Sequence, residues 1–105
     1  MICVEVKKDG NDEIVGFHCI GHSGYAQSGK DIVCSAVSAL VINCVNSIEE
    51  FTDAKFQLKT EEESGDIDFL LESPLDDSIR LLLASMFLGL TGIQEAYGKE
   101  YLSIH

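Results

Sequence analysis

The sequence predicts an α+β fold: a two-layer β-β-α-β-β-α-β arrangement with a largely antiparallel sheet and both helices on one face. Three observations carry this. Short segments alternate apolar and polar residues with the period of a half-buried strand. Two longer segments repeat apolar residues at three- and four-residue steps, the signature of a helix packed along one side. The segments follow one another as strand, strand, helix, twice over, and strands that keep one polar side belong in an antiparallel sheet covered on the other. With 105 residues, of which 46% are hydrophobic, residues 1–105 are expected to form a single domain around one core.

The first strand is read from Ile2, Val4 and Val6 alternating with Cys3, Glu5 and Lys7. Asp9-Gly10-Asn11-Asp12 is turn chemistry, and a second strand runs from Ile14 to about Gly21 with Val15, Phe17 and Cys19 on one face. A helix follows from Ile32 to about Glu50. Its sheet-facing set is Val33, Val37, Leu40, Cys44, Ile48 and Phe51, with Ala36, Ala39, Val41 and Val45 widening the apolar side. Lys55 to Lys59 and Asp66 to Phe69 alternate on either side of a turn at Glu61-Glu62-Glu63-Ser64-Gly65. This hairpin should point Phe56, Leu58, Ile67, Phe69 and Leu71 inward. Pro74 ends it, Asp76-Asp77-Ser78 caps a second helix to about Tyr97, and Gly98 stops that helix before a short strand at Tyr101–Ile104. Ile79, Leu82, Leu83, Met86, Leu90 and Ile93 form its core stripe, whereas Leu81 and Leu88 fall outside it.

A formal charge of −11, from 18 acidic and 7 basic side chains, repels phosphate backbones and anionic lipid, so nucleic acid and membrane surfaces are not expected partners. The start of the chain has no long apolar stretch of a signal peptide, which points to a cytoplasmic protein with reduced thiols. The most apolar window, Leu81 to Leu90, is too short for a membrane span.

Chemistry concentrates between Gly21 and Cys34. His18, Cys19 and His22 suggest zinc, but on a strand Cys19 points away from both histidines, which stand about 13 Å apart. Gly24 to Lys30 fits the front of a phosphate-binding P-loop. The required Ser or Thr is replaced by Asp31, whose charge defeats the purpose. No metal or cofactor is therefore expected. Cys34 remains. With Asp31 at the helix N-cap, Cys34 falls near the third helical position, where unpaired N–H groups and the helix dipole favour a thiolate and supply oxyanion donors. His22, across a loop holding Gly21, Gly24 and Gly29, is a candidate base. Asp31 either orients that imidazole or caps the helix. Spacing alone favours the plainer reading, in which Cys34 is a small core residue and His22 an ordinary loop residue. Cys3, Cys19 and Cys44 read as structural.

Gly21-His22, the glycine-rich loop and the run Gly29-Lys30-Asp31-Ile32-Val33-Cys34-Ser35-Ala36-Val37-Ser38-Ala39-Leu40 resemble the ribosomal-processing cysteine proteases, the Prp family. The element order extends the likeness over the whole chain. The resemblance implies an endopeptidase that removes the N-terminal extension of a large-subunit ribosomal protein during ribosome maturation. It makes Cys34 the nucleophile and His22 the general base, with Asp31, Gly21 and Ser38 matching further motif positions. It also implies a homodimer, in keeping with the surplus apolar helix faces. Ser23 and Ser35 depart from the alanines common in the family. Two readings stand against a peptidase: a non-catalytic ribosome-associated module that binds a peptide, and a thiol redox sensor built on Cys34.

Overall fold

A computed structural model of the chain describes residues 1–20, 28–61 and 64–105, with residues 28–31 described by their backbone alone. Its elements are β1 (Ile2–Lys8), β2 (Ile14–Ile20), α1 (Ser28–Phe51), β3 (Phe56–Thr60), β4 (Ile67–Leu71), α2 (Asp77–Tyr97) and β5 (Leu102–Ile104). The strands form one mixed sheet in the order β3-β4-β2-β1-β5. All neighbouring pairs are antiparallel except β1 with β5, which run parallel. The expected α+β architecture is present.

Local chemistry accounts for the joints. At the β1–β2 turn, Asp9 Oδ1 accepts hydrogen bonds from the N–H groups of Asn11 and Glu13, at 2.8 and 3.1 Å. Asp12 adopts φ 63°, a left-handed conformation that Asp tolerates better than most residues. Between β2 and β4 the backbones come so close at Gly16 that a Cβ there would collide with the Phe69 carbonyl oxygen. That approach lets Phe17 stack on Phe69 with ring centroids 5.3 Å apart, and Phe56 lies 5.0 Å from Phe69 on the other side. The N-cap of α2 is Asp76, whose Oδ1 accepts the Ile79 N–H at 2.9 Å. Gly98, at φ 110°, closes its other end and donates to the Gln94 carbonyl.

One core cluster joins the helices to one sheet face. Val33, Val37, Val41 and Ile48 of α1 and Ile79, Leu83, Met86 and Leu90 of α2 are buried against Val4, Phe17, Cys19, Phe69 and Leu102. The helices also touch each other closely: a Cβ on Gly89 would press on the Leu40 methyl groups. Windows in both helices are apolar enough for a bilayer, with mean hydropathy 1.7 over Ile32–Phe51 and 1.2 over Asp77–Tyr97. The window Leu81 to Leu90 singled out in the sequence is part of the second of these. Here those apolar faces cover the sheet and each other, as in any core helix.

Three local expectations fail. The first helix begins at Ser28, four residues earlier than read. Asp31 is therefore the fourth helical residue rather than the one that precedes the helix, because apolar periodicity, from which the start was read, does not mark the polar turn Ser28 to Asp31. Phe51 is 77% exposed, because α1 runs past the edge of its support. Leu58 is 42% exposed, because β3 is the outermost strand and little covers it. On α2, by contrast, Leu81 and Leu88 lie outside the core at 70% and 76% exposure, as the stripe predicts.

Candidate active site

Two elements meet where chemistry is expected. β2 ends at Ile20 and α1 begins at Ser28. Gly21 and His22 lie between them, outside the described residues, and the side chain of Asp31 is outside them too. Cys34 is half-buried and packs against the core cluster. One turn on, Ser38 is half-buried too, on the same side of the helix as Cys34 by its four-residue spacing. Val33 and Val37 beside them are sealed at 1% and 0%, so the wall that carries Cys34 is pinned to the sheet.

The longer helix changes the electrostatic argument. Cys34 is the seventh residue of α1 rather than about the third. Its own N–H is then committed to the intrahelical ladder, and the strongest part of the dipole field lies more than a turn away. The helix start therefore does not by itself create the thiolate or supply Cys34 with an oxyanion donor. An acyl-transfer site here needs a base and donors from other groups.

The four thiols divide by access. Cys19 and Cys44 are 0% and 4% exposed. Burial pushes the Cys44 thiol up to about 11, and its Sγ–H donates to the Leu82 carbonyl at 3.6 Å. Burial, and then the charges of Asp66, Cys34 and Cys3, push Cys19 up to about 11 as well. Neither forms a thiolate readily near neutral pH, as the structural reading of both predicts. Cys3 and Cys34 retain access to solvent. Cys3 lies on the uncovered sheet face opposite Ser103, whereas Cys34 lies on the helix.

Sequence reasoning missed Asp66 in this neighbourhood. It precedes Ile67, which pairs with Cys19. Its Oδ2 is 3.8 Å from His18 Nε2, and its Oδ1 is buried without a hydrogen-bond partner among the described residues. Only the β2–β4 register could have signalled that, and register is non-local. Of the zinc set, His18 pairs toward Asp66 on the uncovered face while Cys19 is sealed in the core, and His22 lies outside the described residues. Among the described residues no group of three His, Cys, Asp or Glu side chains could hold a metal ion.

Known proteins share this architecture. The profile of a family described as cysteine protease Prp matches residues 1–102. The ribosomal processing cysteine protease Prp of Bacillus subtilis (strain 168) is 29% identical over 108 residues, covering 99% of this chain and 96% of that protein. A crystal structure of the essential ribosomal processing protease Prp from S. aureus, in complex with a substrate peptide, superposes with a TM-score of 0.91. It covers 100% of this chain and 98% of the other at 24% identity, a likeness of fold. A second structure of that S. aureus protease, with a covalently linked product peptide, gives a TM-score of 0.88 at 25% identity, covering 100% and 98%.

Proposed function

We propose, from the premise that this chain belongs to the cysteine protease Prp family, that it cleaves the N-terminal extension from a large-subunit ribosomal protein in the cytoplasm, with Cys34 as nucleophile and His22 as general base. The observation that carries the assignment is the division of the thiols. Of the two cysteines with solvent access, Cys34 alone stands in the Asp31-Ile32-Val33-Cys34 segment that the family resemblance marks.

The chemistry is acyl transfer. His22 takes the Cys34 proton, and the sulfur attacks the scissile carbonyl to form a tetrahedral adduct. His22 then returns the proton to the leaving amine, and water releases the acyl group from sulfur. Because the Cys34 N–H is engaged within α1, donors to the oxyanion come from other groups. Ser38, one turn from Cys34, is a supporting residue on the same helix side, and Gly21, next to His22, and Asp31, three residues before Cys34, are supporting positions. The relatives named above process ribosomal proteins, and the S. aureus protease was captured with substrate and product peptides. Those facts support the same class of substrate here. The active unit is a homodimer, supported by the apolar Leu81 and Leu88 standing exposed two turns apart on α2.

The deciding experiment is incubation with the precursor ribosomal protein and mass measurement of its new N-terminus. Cys34→Ala should abolish cleavage while the precursor still binds, and His22→Ala should slow cleavage by a factor of at least about 100. Cleavage by the Cys34→Ala chain at the unsubstituted rate would refute the assignment. Retained function without any cleavage would favour a binding module, and loss of an oxidant response alone would favour a redox sensor.

A further inference from the structure

The end of α1 and the approach to α2 form an open groove of about 410 Å³, lined in part by Phe51, Asp53, Ala54, Pro74, Asp76 and Ile79. That volume falls in the range of ligand-holding clefts. Its walls are chemically two-sided. Phe51 offers an aromatic ring that is 77% exposed, and Pro74 and Ala54 add apolar surface. Asp53 and Asp76 bring carboxylates, and among the described residues no Lys, Arg or His lines it. The helix termini do not cancel this charge. The last turn of α1 contains no basic residue, so its negative dipole end is uncompensated. At α2 the Asp76 cap offsets the positive end, and Asp77 pairs with Arg80 at 2.8 Å, so Asp53 and the end of α1 carry most of the free negative charge.

We infer that this groove docks a basic polypeptide segment, and that in the proposed peptidase it is an exosite for the body of the substrate. The chemistry is that of a lysine or arginine side chain. Its methylene stem lies on Phe51 and Pro74, and its charged head meets the carboxylates and the aromatic face. Charge complementarity fixes the occupant as cationic: an acidic or phosphate-bearing partner would meet only like charge here. The separation suits one extended substrate. Cys34 and Phe51 are 17 residues apart on one helix, about 26 Å along its axis, a span that about eight extended residues cover. The inference rests on the peptidase reading for its occupant, and its test separates the two.

The test compares the unsubstituted chain with Phe51→Ala/Asp53→Asn, both exposed positions, on two substrates. One is the full-length precursor; the other is a short peptide carrying only the cut site. The variant should raise KM for the precursor about fivefold, with kcat within twofold, and leave the short peptide unaffected. A lysine-rich decapeptide should shift the backbone amide signals of residues 51–54, 73 and 75–79 in the unsubstituted chain but not in the variant. Equal effects on both substrates, no effect on the precursor, or amide shifts unchanged by the substitutions would overturn the groove while leaving the peptidase intact. An unsubstituted chain that cuts neither substrate would overturn both.

Discussion

Each cysteine has a different fate because each meets a different solvent. The buried Cys19 and Cys44 keep their protons to about 11, against 9.0 for an ordinary thiol. Below pH 9 both the folded and the unfolded chain hold these protons, and their full contribution to stability is present. From pH 9 to pH 11 the unfolded chain releases them while the folded chain keeps them, so stability falls as pH rises through that window. The loss across it is about 2–3 kcal/mol per thiol at most. The urea midpoint should therefore drop between pH 8 and pH 10.5, and less steeply in Cys44→Ala. A flat midpoint would show that the thiols are not desolvated. A bulky aromatic disulfide reagent at pH 8 should label Cys3 and Cys34 in the folded chain, and Cys19 and Cys44 only after unfolding. Fast labelling of all four would contradict the burial. Alternation along β2 reveals that Cys19 is inside, because the side-chain period of a strand is strict. The environment of Cys34 was less legible, since it depends on where the helix starts. The helix enters through the polar turn Ser28 to Asp31, which apolar periodicity does not mark.

Among the elements, the joint between β2 and β4 is the most exacting. A methyl group on Gly16 meets backbone, the Phe69 carbonyl, rather than a side chain that can turn away. Gly16→Ala should cost about 3 kcal/mol or more and loosen the Phe17–Phe69 stack, visible as a lowered midpoint and altered aromatic circular dichroism. Asp76→Ala removes one cap from α2 and should cost only about 1 kcal/mol, a fall in Tm of about 4–8 °C. If Gly16→Ala proves the milder change, the backbone approach is wrong. The sequence pattern exposes both helices and every strand, because periodicity is local. It does not expose strand order. Nothing in Lys55–Lys59 says that β3 lies outermost, so Leu58 looked as if it belonged in the core, and its exposure became visible only with the pairing of β4 against β2. The position of Asp66 beside His18 was hidden for the same reason.

At the scale of the whole molecule, charge and apolar surface set its associations. A chain at −11 repels copies of itself at low salt. The proposed homodimer, if built through α2, must therefore rest on apolar contact, and Leu81 and Leu88 are the most exposed large apolar residues on that helix. The doubly substituted Leu81→Lys/Leu88→Lys chain should sediment as a monomer with its Tm within a few degrees of the isolated fold; a dimer that survives would move the interface elsewhere. The family resemblance raises this expectation, and the off-stripe leucines are the surface proposed for it.

β5 is three residues long, yet it completes the sheet by lying alongside β1, with Ile2 facing Leu102 and Val4 facing Ile104. The partners are separated by 100 positions, so joining them means closing nearly the entire polymer into a ring, an entropic toll of about 4 kcal/mol. Such a latch should engage late in folding, after α2 has docked beside it, and let go early under stress. Each release bares the backbone donors and acceptors of β1 to any stray strand, so self-association of this protein under mild denaturation should begin at that seam.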